Sequence, residues 1–221
     1  MEKRIVSHLK YQISVMNNTY FIVNEKTTSR LRIAMIAIFI ILLYFEFRGR
    51  IIESSYDNAL FMLFYPILKS AVFNTLVALA LMLGKCLFYF EFMLQFRQRN
   101  SWAQWLCLSI IVMMVLIFVL GLLPSTLWLT MSLIVPNILG LVNSLLLLML
   151  SVVFISRFRG YIRLAGICLA VTLLLPYVFS MGFILFDQYD ILSNVMASLG
   201  LITLIFKCLT CFYYFRSFRS E

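Results

Sequence analysis

Acidic residues and histidine are scarce in this chain. It contains nine Asp and Glu residues and one histidine among 221 residues. The histidine, His8, lies in a polar segment with no cluster of acids around it. Histidine, cysteine and carboxylates supply most metal ligands in proteins, and histidine and carboxylates carry most general acid–base catalysis. The sequence therefore predicts neither a metal centre nor a paired-carboxylate active site, and we expect no cofactor.

Catalytic motifs are also missing. The intramembrane protease patterns His-Glu-x-x-His, Gly-x-Ser-x-Gly and Gly-x-Gly-Asp are absent, and so is the phosphate loop Gly-x-x-x-x-Gly-Lys-Ser/Thr. We predict no β-strands. Cys208 and Cys211 form a C-x-x-C pair inside an apolar segment, where thiols usually fill space, so we expect no redox role and no disulfides. A lipid-modifying enzyme would need a buried acid or histidine near the membrane face, for which only Glu46 and Glu91 are available.

What the chain does contain is a long stretch without charge. Residues 100–156 include no Asp, Glu, Lys or Arg. A bilayer core of ~30 Å is crossed by ~20 apolar helical residues, so this stretch fits two crossings joined by a turn at Gly121, Pro124, Ser125 and Thr126. The arginines on either side then lie on one face of the membrane, which the positive-inside rule assigns to the cytoplasm.

The composition extends this interpretation to the whole chain. Hydrophobic residues make up 63% and charged residues 12%, which excludes a soluble domain of this size. We predict an all-α polytopic membrane protein with six transmembrane helices and both termini cytoplasmic. The predicted spans are about 31–47, 70–90, 105–123, 128–155, 164–186 and 191–215. We interpret 59–68 as interfacial or re-entrant, 1–30 as a cytoplasmic amphipathic segment, 31–215 as the six-span domain and 216–221 as a cytoplasmic tail.

The distribution of basic residues supports this topology. The outer side would hold three of the 18 Lys and Arg residues, Arg48, Arg50 and Lys69. The other fifteen would lie on the cytoplasmic side, namely Lys3, Arg4, Lys10, Lys26, Arg30, Arg32, Lys85, Arg97, Arg99, Arg157, Arg159, Arg163, Lys207, Arg216 and Arg219. Because these residues occur in short clusters between apolar spans, the net charge of +9 indicates membrane topology rather than nucleic-acid binding.

A few polar residues fall within or beside the predicted spans. Ionisable groups inside a membrane are candidates for function, so Lys69, Asn137, Asn143 and Lys207 are possible pathway or interface residues. Lys69 and Lys207 could instead snorkel to the outer and cytoplasmic faces, and the asparagines could link helices by hydrogen bonds. The near absence of acids in spans three to five argues against transport driven by ions, which needs carboxylates that load and release cations.

The order of elements resembles the membrane subunits of ABC-2-type exporters. The resemblance rests on the amphipathic segment 1–30, six spans, the polar stretch from Glu91 to Arg99 between spans two and three, a short turn from Ile184 to Asn194, and the closing sequence Tyr-Phe-Arg-Ser-Phe-Arg at 214–219. The Arg157–Arg163 loop and Leu175-Pro176 are also similar to the heme-exporter branch.

This resemblance implies a function. The chain would be the permease subunit of an exporter of a hydrophobic or amphipathic substrate, driven by a separate ATP-binding subunit that docks on Glu91, Arg97 and Arg99. It would form a homodimer, or a heterodimer with another membrane subunit. We expect it in a plasma membrane, and in a bacterium. The alternative is a protein that transports nothing, such as an immunity or assembly factor or a structural subunit of a larger membrane complex.

Overall fold

The chain folds into a helical bundle with a small two-stranded sheet. The computed structural model describes residues 19–53, 69–99, 101–122, 131–186 and 192–220. In chain order their elements are β1 (Phe21–Val23), α1 (Glu25–Glu53), α2 (Ala71–Gln98), α3 (Ala103–Gly121), α4 (Met131–Arg157), α5 (Gly160–Phe186), α6 (Leu192–Arg216) and β2 (Phe218–Ser220). The predicted helical class is confirmed. The prediction that the chain has no strands is wrong, because β1 and β2 pair in parallel.

Five of the helices are long and apolar enough to span a membrane. They contribute the segments Ala71–Gln98, Ala103–Gly121, Asn137–Arg157, Gly160–Val178 and Leu199–Arg216. Helix α1, which contains the predicted first span 31–47, is not among them. Its apolar middle is bracketed by Arg30 and Arg32 on one side and by Glu46 and Arg48 on the other. The chain is therefore a membrane protein with at least five helices suited to crossing.

The helices begin where the sequence offers caps and turns. Helices suit a bilayer because they satisfy their own backbone hydrogen bonds, but their first N–H groups need other partners. Asn24 caps α1, its Oδ1 accepting from the Thr27 N–H at 2.8 Å, and Ser70 caps α2, its Oγ accepting from the Phe73 N–H at 3.3 Å. Gly160 opens α5 with a φ of 60°, a conformation that favours glycine.

The boundaries of α3 to α6 agree with the predicted spans to within a few residues, but other boundaries differ. Helix α2 continues to Gln98 instead of ending near 90, so most of the polar stretch from Glu91 to Arg99 is helical. Helix α1 runs from Glu25, inside the predicted segment 1–30, to Glu53, six residues beyond the predicted end of the first span, and β2 occupies half of the predicted tail 216–221. Residues 1–18, the predicted re-entrant segment 59–68 and the turn around Pro124 lie outside the described residues.

The six helices form a closed ring. Each helix packs against the next one in the chain, and α1 packs against α6. Helices α1 and α2 run in opposite directions, as contacts at their two ends show. At one end the Gln95 side chain donates to the carbonyl oxygen of Ile22, which precedes α1, at 3.0 Å. At the other end the Tyr44 hydroxyl donates to Asn74 Oδ1 at 2.8 Å.

One end of this ring is strongly basic, and we call it the basic end. It brings together the start of α1, the α2–α3 and α4–α5 turns and the end of α6. The Arg157 guanidinium lies 6.0 Å from the ring of Trp102, so the two turns are neighbours. The described basic residues here are Lys26, Arg30, Arg32, Arg97, Arg99, Arg157, Arg159, Arg163, Arg216 and Arg219. The prediction that both arginine clusters share one side of the hairpin agrees with this arrangement.

The best-buried part of the protein lies just inside the basic end. Six phenylalanines from five different elements or turns pack there, and we call them the aromatic cluster: Phe21, Phe92, Phe96, Phe154, Phe158 and Phe218. Phe21 of β1 is fully buried, and its ring centroid lies between 5.4 and 5.9 Å from those of four other members. Pairing of Phe21 with Phe218 in the sheet therefore joins the start of α1 to the end of α6.

Candidate binding cavity

A cavity of about 190 Å³ lies inside the ring. Its walls come from five of the six helices, all except α3. The lining residues are Ile38, Leu42, Lys85, Phe88, Tyr89, Leu147, Leu169, Thr172, Leu173, Lys207, Thr210, Cys211 and Tyr214. Most of these side chains are apolar, and none of the described lining residues is acidic. The cavity is therefore an apolar chamber that carries a positive charge.

Two lysines supply that charge. Lys85 lies in the middle of α2, 13 residues before Gln98, which places it about 20 Å along the helix axis from the basic end. It is half-buried, whereas Lys207 of α6, which also lines the cavity, is exposed. The two ammonium groups are close enough for their charges to interact. Two like charges in a region of low polarity repel each other and are costly to keep there.

Hydroxyl groups provide the remaining polar atoms of the lining. The Thr172 and Thr210 hydroxyls donate to carbonyl oxygens one turn earlier in their own helices, at 2.8 Å to Cys168 and 2.7 Å to Phe206. Tyr214 is 5% exposed, and its hydroxyl faces that of Tyr89, a second lining residue, without a hydrogen bond of good geometry among the described residues. A buried hydroxyl that lacks a well-formed hydrogen bond is costly, so this pair of tyrosines can donate to a molecule in the cavity.

The aromatic cluster closes the cavity toward the basic end. Phe88 and Tyr214 line the cavity and also contact the cluster, since the Tyr214 ring lies 5.0 Å from Phe92 and the Phe88 ring 6.5 Å from Phe218. The two strands contribute Phe21 and Phe218 to this cluster. A molecule in the cavity is therefore separated from the strands by packed aromatic rings.

The structure separates the predicted pathway residues. Lys207 lines the cavity. Asn143 lies one helical turn before the lining residue Leu147, and its Oδ1 is buried with no hydrogen-bond partner among the described residues. Asn137 is exposed farther along α4, and Lys69 is exposed beside the start of α2, at the end of the ring opposite the basic end. Two of the four predicted residues thus lie at or near the cavity.

The predicted docking residues lie together on the last turns of α2, in different surroundings. Arg97 is exposed. Glu91 is half-buried near Arg30 of α1. The Arg99 guanidinium lies 4.9 Å from the ring centroid of Phe21 and 5.4 Å from that of Phe158, close enough for cation–π attraction. Burial lowers the pKa of Arg99 below its ordinary value, but an arginine stays protonated. Arg97 is thus the residue of the three that a partner can most readily reach.

Sequence reasoning missed Lys85 and Tyr214 as cavity residues. The sequence places Lys85 among the cytoplasmic charges, near the predicted end of the second span at residue 90. The continuation of α2 to Gln98 moves Lys85 to the middle of the helix. A signal was present in α6, where Lys207, Thr210, Cys211 and Tyr214 follow one another at spacings of three, one and three residues. That spacing places them on one face of a helix.

The arrangement suits the binding of a small molecule. It offers two ammonium groups and the phenols of Tyr89 and Tyr214, and Cys211 is the only described cysteine among the lining residues. Nowhere in the described residues do three or more His, Cys, Asp or Glu side chains converge so that they could hold a metal ion. An apolar chamber with positive charge and a hydroxyl donor fits a molecule with an apolar part and an anionic part. No family model, curated protein or solved structure matches this chain.

Proposed function

We propose that this protein is the permease subunit of an ABC-type exporter, which moves a hydrophobic or amphipathic substrate and is driven by a separate ATP-binding subunit. The observation that carries the proposal is the cavity inside the helix ring, whose walls are mainly apolar but include Lys85, Lys207 and Tyr214. Such a chamber can hold an amphipathic molecule within the membrane. In this proposal the protein works as a dimer in a plasma membrane.

Helix α2 connects the proposed docking surface to the cavity. It runs without interruption from Ala71 to Gln98, carrying Lys85 in its middle and Arg97 in its last turn. A packed helix transmits displacement along its length because protein interiors are close-packed. Closure of an ATPase against Arg97 and its neighbours would therefore shift the wall of the cavity and loosen the aromatic cluster around Phe92 and Phe96, which belong to the same helix.

Co-purification in mild detergent tests this proposal, with mass spectrometry to identify the proteins recovered. We expect a stoichiometric ATPase to accompany the tagged chain and to be lost when Arg97 is changed to Glu, because reversing an exposed charge removes the attraction without disturbing the core. The matched control is Arg163→Glu, which reverses another exposed arginine at the basic end, on α5, and should keep the ATPase. Recovery of membrane proteins alone, without any nucleotide-binding protein, would contradict the permease function.

A second candidate function, a structural subunit of a larger membrane complex, is favoured by one observation. Four residues of the proposed docking stretch are already used inside the chain: Phe92 and Phe96 are buried in the aromatic cluster, Gln95 donates to Ile22, and Arg99 lies over Phe21. They hold β1 in place, so less of the stretch is left for a partner. In this case the same co-purification would recover a fixed set of membrane subunits, and Arg97→Glu would leave that set unchanged.

A further inference from the structure

The two cavity lysines have no described counter-charge in the chamber they share. No carboxylate is among the lining residues, and like charges near each other in a poorly polar environment destabilise the protein. Lys85 lies about 20 Å from the basic end along α2, which is beyond the reach of a lysine side chain. Lys207 lies nine residues before Arg216 on α6, about 13 Å along the helix axis. An arrangement that costs stability in the empty protein is explained if a ligand supplies the missing negative charge.

We propose that Lys85, Lys207 and Tyr214 bind the phosphomonoester head group of a membrane lipid, with its apolar chains along the leucine and isoleucine walls. Two ammonium groups match the charge of about −1.5 to −2 that a phosphomonoester carries near neutral pH. The Tyr214 hydroxyl, which lies beside that of Tyr89 and makes no well-formed hydrogen bond among the described residues, adds a donor for one of its oxygens. A carboxylate would bring one negative charge and leave one lysine uncompensated.

The size of the cavity limits what it can hold. Its 190 Å³ is more than ten times the ~15 Å³ that one water molecule needs, but it is smaller than the roughly 300 Å³ at which pockets for drug-sized ligands begin. The chamber therefore holds a head group and the first part of a chain, while the rest of the lipid passes out beside Lys207, which is the exposed member of the pair.

The apolar walls around the two lysines favour a phosphate that belongs to a lipid over free inorganic phosphate. Ile38, Leu42, Leu147, Leu169 and Leu173 make much of the lining, and burying an apolar chain against them is favourable by ~25 cal/mol per Å². Inorganic phosphate would use the lysines and the tyrosine but gain nothing from these residues. The chamber is also closed toward the basic end by the aromatic cluster, so a ligand that already resides in the bilayer has the shorter route.

Binding of dioleoyl phosphatidic acid to the purified full chain in detergent tests the proposal. Labelled lipid is competed with unlabelled phosphatidic acid, phosphatidylcholine, oleate and inorganic phosphate. We expect phosphatidic acid to compete at least tenfold better than each of the others. Lys85→Met and Lys207→Met should each weaken binding about tenfold, and Tyr214→Phe several-fold. Lys26→Gln and Tyr177→Phe, which alter an exposed lysine and an exposed tyrosine outside the cavity, should leave binding unchanged.

A second measurement separates a binding role from a structural one. Without lipid, Lys85→Met or Lys207→Met should raise the thermal midpoint by about 3 °C, because each substitution removes the repulsion between the two charges. With phosphatidic acid present, the parent protein should gain more stability than either variant. Equal competition by phosphatidylcholine, oleate or inorganic phosphate would overturn the proposal, as would an equal loss of binding in Lys26→Gln or lower midpoints in both lysine variants.

That the bound lipid is the exported substrate rests on the proposed permease function. That the lipid binds in the cavity does not. The lipid experiment uses the chain without any ATPase. If no ATPase co-purifies, the exporter function is contradicted but the lipid site is not. If phosphatidic acid does not bind selectively, the proposed substrate class is contradicted but the exporter function is not.

Discussion

Gly166 allows α4 and α5 to pack closely against each other. A Cβ atom at this position would lie 2.7 Å from Phe154 Cβ and 2.9 Å from the Ser151 carbonyl oxygen. Neither atom is at the end of a flexible side chain, so the backbones of the two helices would have to separate. Small residues that permit close approach are a common device for association of helices in membranes, and here the device lies beside Phe154 of the aromatic cluster.

Replacing Gly166 by alanine should destabilise the protein. We expect Gly166→Ala to reduce the free energy of unfolding by about 1–3 kcal/mol, the usual cost of overpacking. Unfolding can be followed in detergent with a thiol-reactive fluorophore, because Cys107 and Cys211 are buried in the folded protein. Gly140→Ala is the matched control, since nothing lies within 4 Å of a Cβ at Gly140. Equal midpoints for both variants would contradict the close approach.

The different importance of these two glycines could not be predicted from the sequence. Gly140 and Gly166 both lie in long apolar segments, and nothing in their neighbours along the chain distinguishes them. The distinction arises from the distance to the adjacent helix, which depends on how both helices rotate about their axes. The same holds for Asn143 and Asn137: the first has a buried carbonyl oxygen, whereas the second is exposed.

At the scale of elements, the short strand β1 has an effect out of proportion to its three residues. Its residue Phe21 is fully buried among the rings of α2, the α4–α5 turn and β2. Gln95 of α2 and Arg99, which follows its last residue, donate to the backbone carbonyls of Ile22 and Tyr20, at 3.0 and 3.5 Å. The strand thereby fixes the position of α1, which follows after a single residue.

Loss of the Phe21 ring should release β1. We expect Phe21→Ala to lower the free energy of unfolding by about 3–5 kcal/mol, as for other large side chains deleted from a core, and to let the first turn of α1 fray. Trypsin should then cleave at Lys26 much faster. Ile22→Ala should change the rate little, because the Ile22 side chain is 42% exposed. If the two variants were cleaved at the same rate, Phe21 would not anchor the strand.

The positions of the helices could largely be predicted, and the reason is physical. Charged residues are costly in the bilayer core, so arginines mark where spans end, as Arg157 and Arg216 do in α4 and α6. The end of α2 was harder to predict because Glu91 and Gln95 are polar residues that the bundle shelters. Glu91 lies near Arg30, and Gln95 bonds to Ile22. Contacts with residues more than 60 positions away in sequence thus override the local signal.

For the molecule as a whole, the closed ring predicts which residues share a side of the membrane. Helix α1 runs beside α2 and α6 and pairs with α2 at both ends. We therefore propose that α1 crosses together with the five more apolar helices, despite its additional charges. In that case Lys26 and Arg159 lie on one side of the membrane and Arg48 lies on the other.

Labelling of single cysteines with a membrane-impermeant maleimide tests this topology. The variants Lys26→Cys, Arg159→Cys and Arg48→Cys are made in a chain whose five native cysteines are replaced by alanine. In intact cells we expect Arg48→Cys to be labelled and the other two to be labelled only after the membrane is opened. Labelling of positions 26 and 48 from the same side would show that α1 does not cross the membrane and instead lies against one of its surfaces.

The cavity was the part of the molecule least accessible to prediction. The sequence identified Lys207 as a pathway candidate, because a lysine inside an apolar span is conspicuous. It did not connect Lys207 with Lys85, since the two residues are on helices separated by more than 100 positions in sequence. Only the contact between α1 and α6, which closes the ring, brings α2 and α6 to the same chamber.

The pairing of β1 with β2 also has a consequence for the order of events during synthesis. Phe21 finds its partner Phe218 only after every helix has been made and inserted. Until then the rings of Phe92 and Phe96 lack much of their packing, and the helices made first are in the membrane without the contact that closes the ring. Closure of such a large loop carries an entropic cost and is expected to be slow. The partly made chain is therefore the form most exposed to quality-control proteases, and truncation before residue 218 should shorten its lifetime.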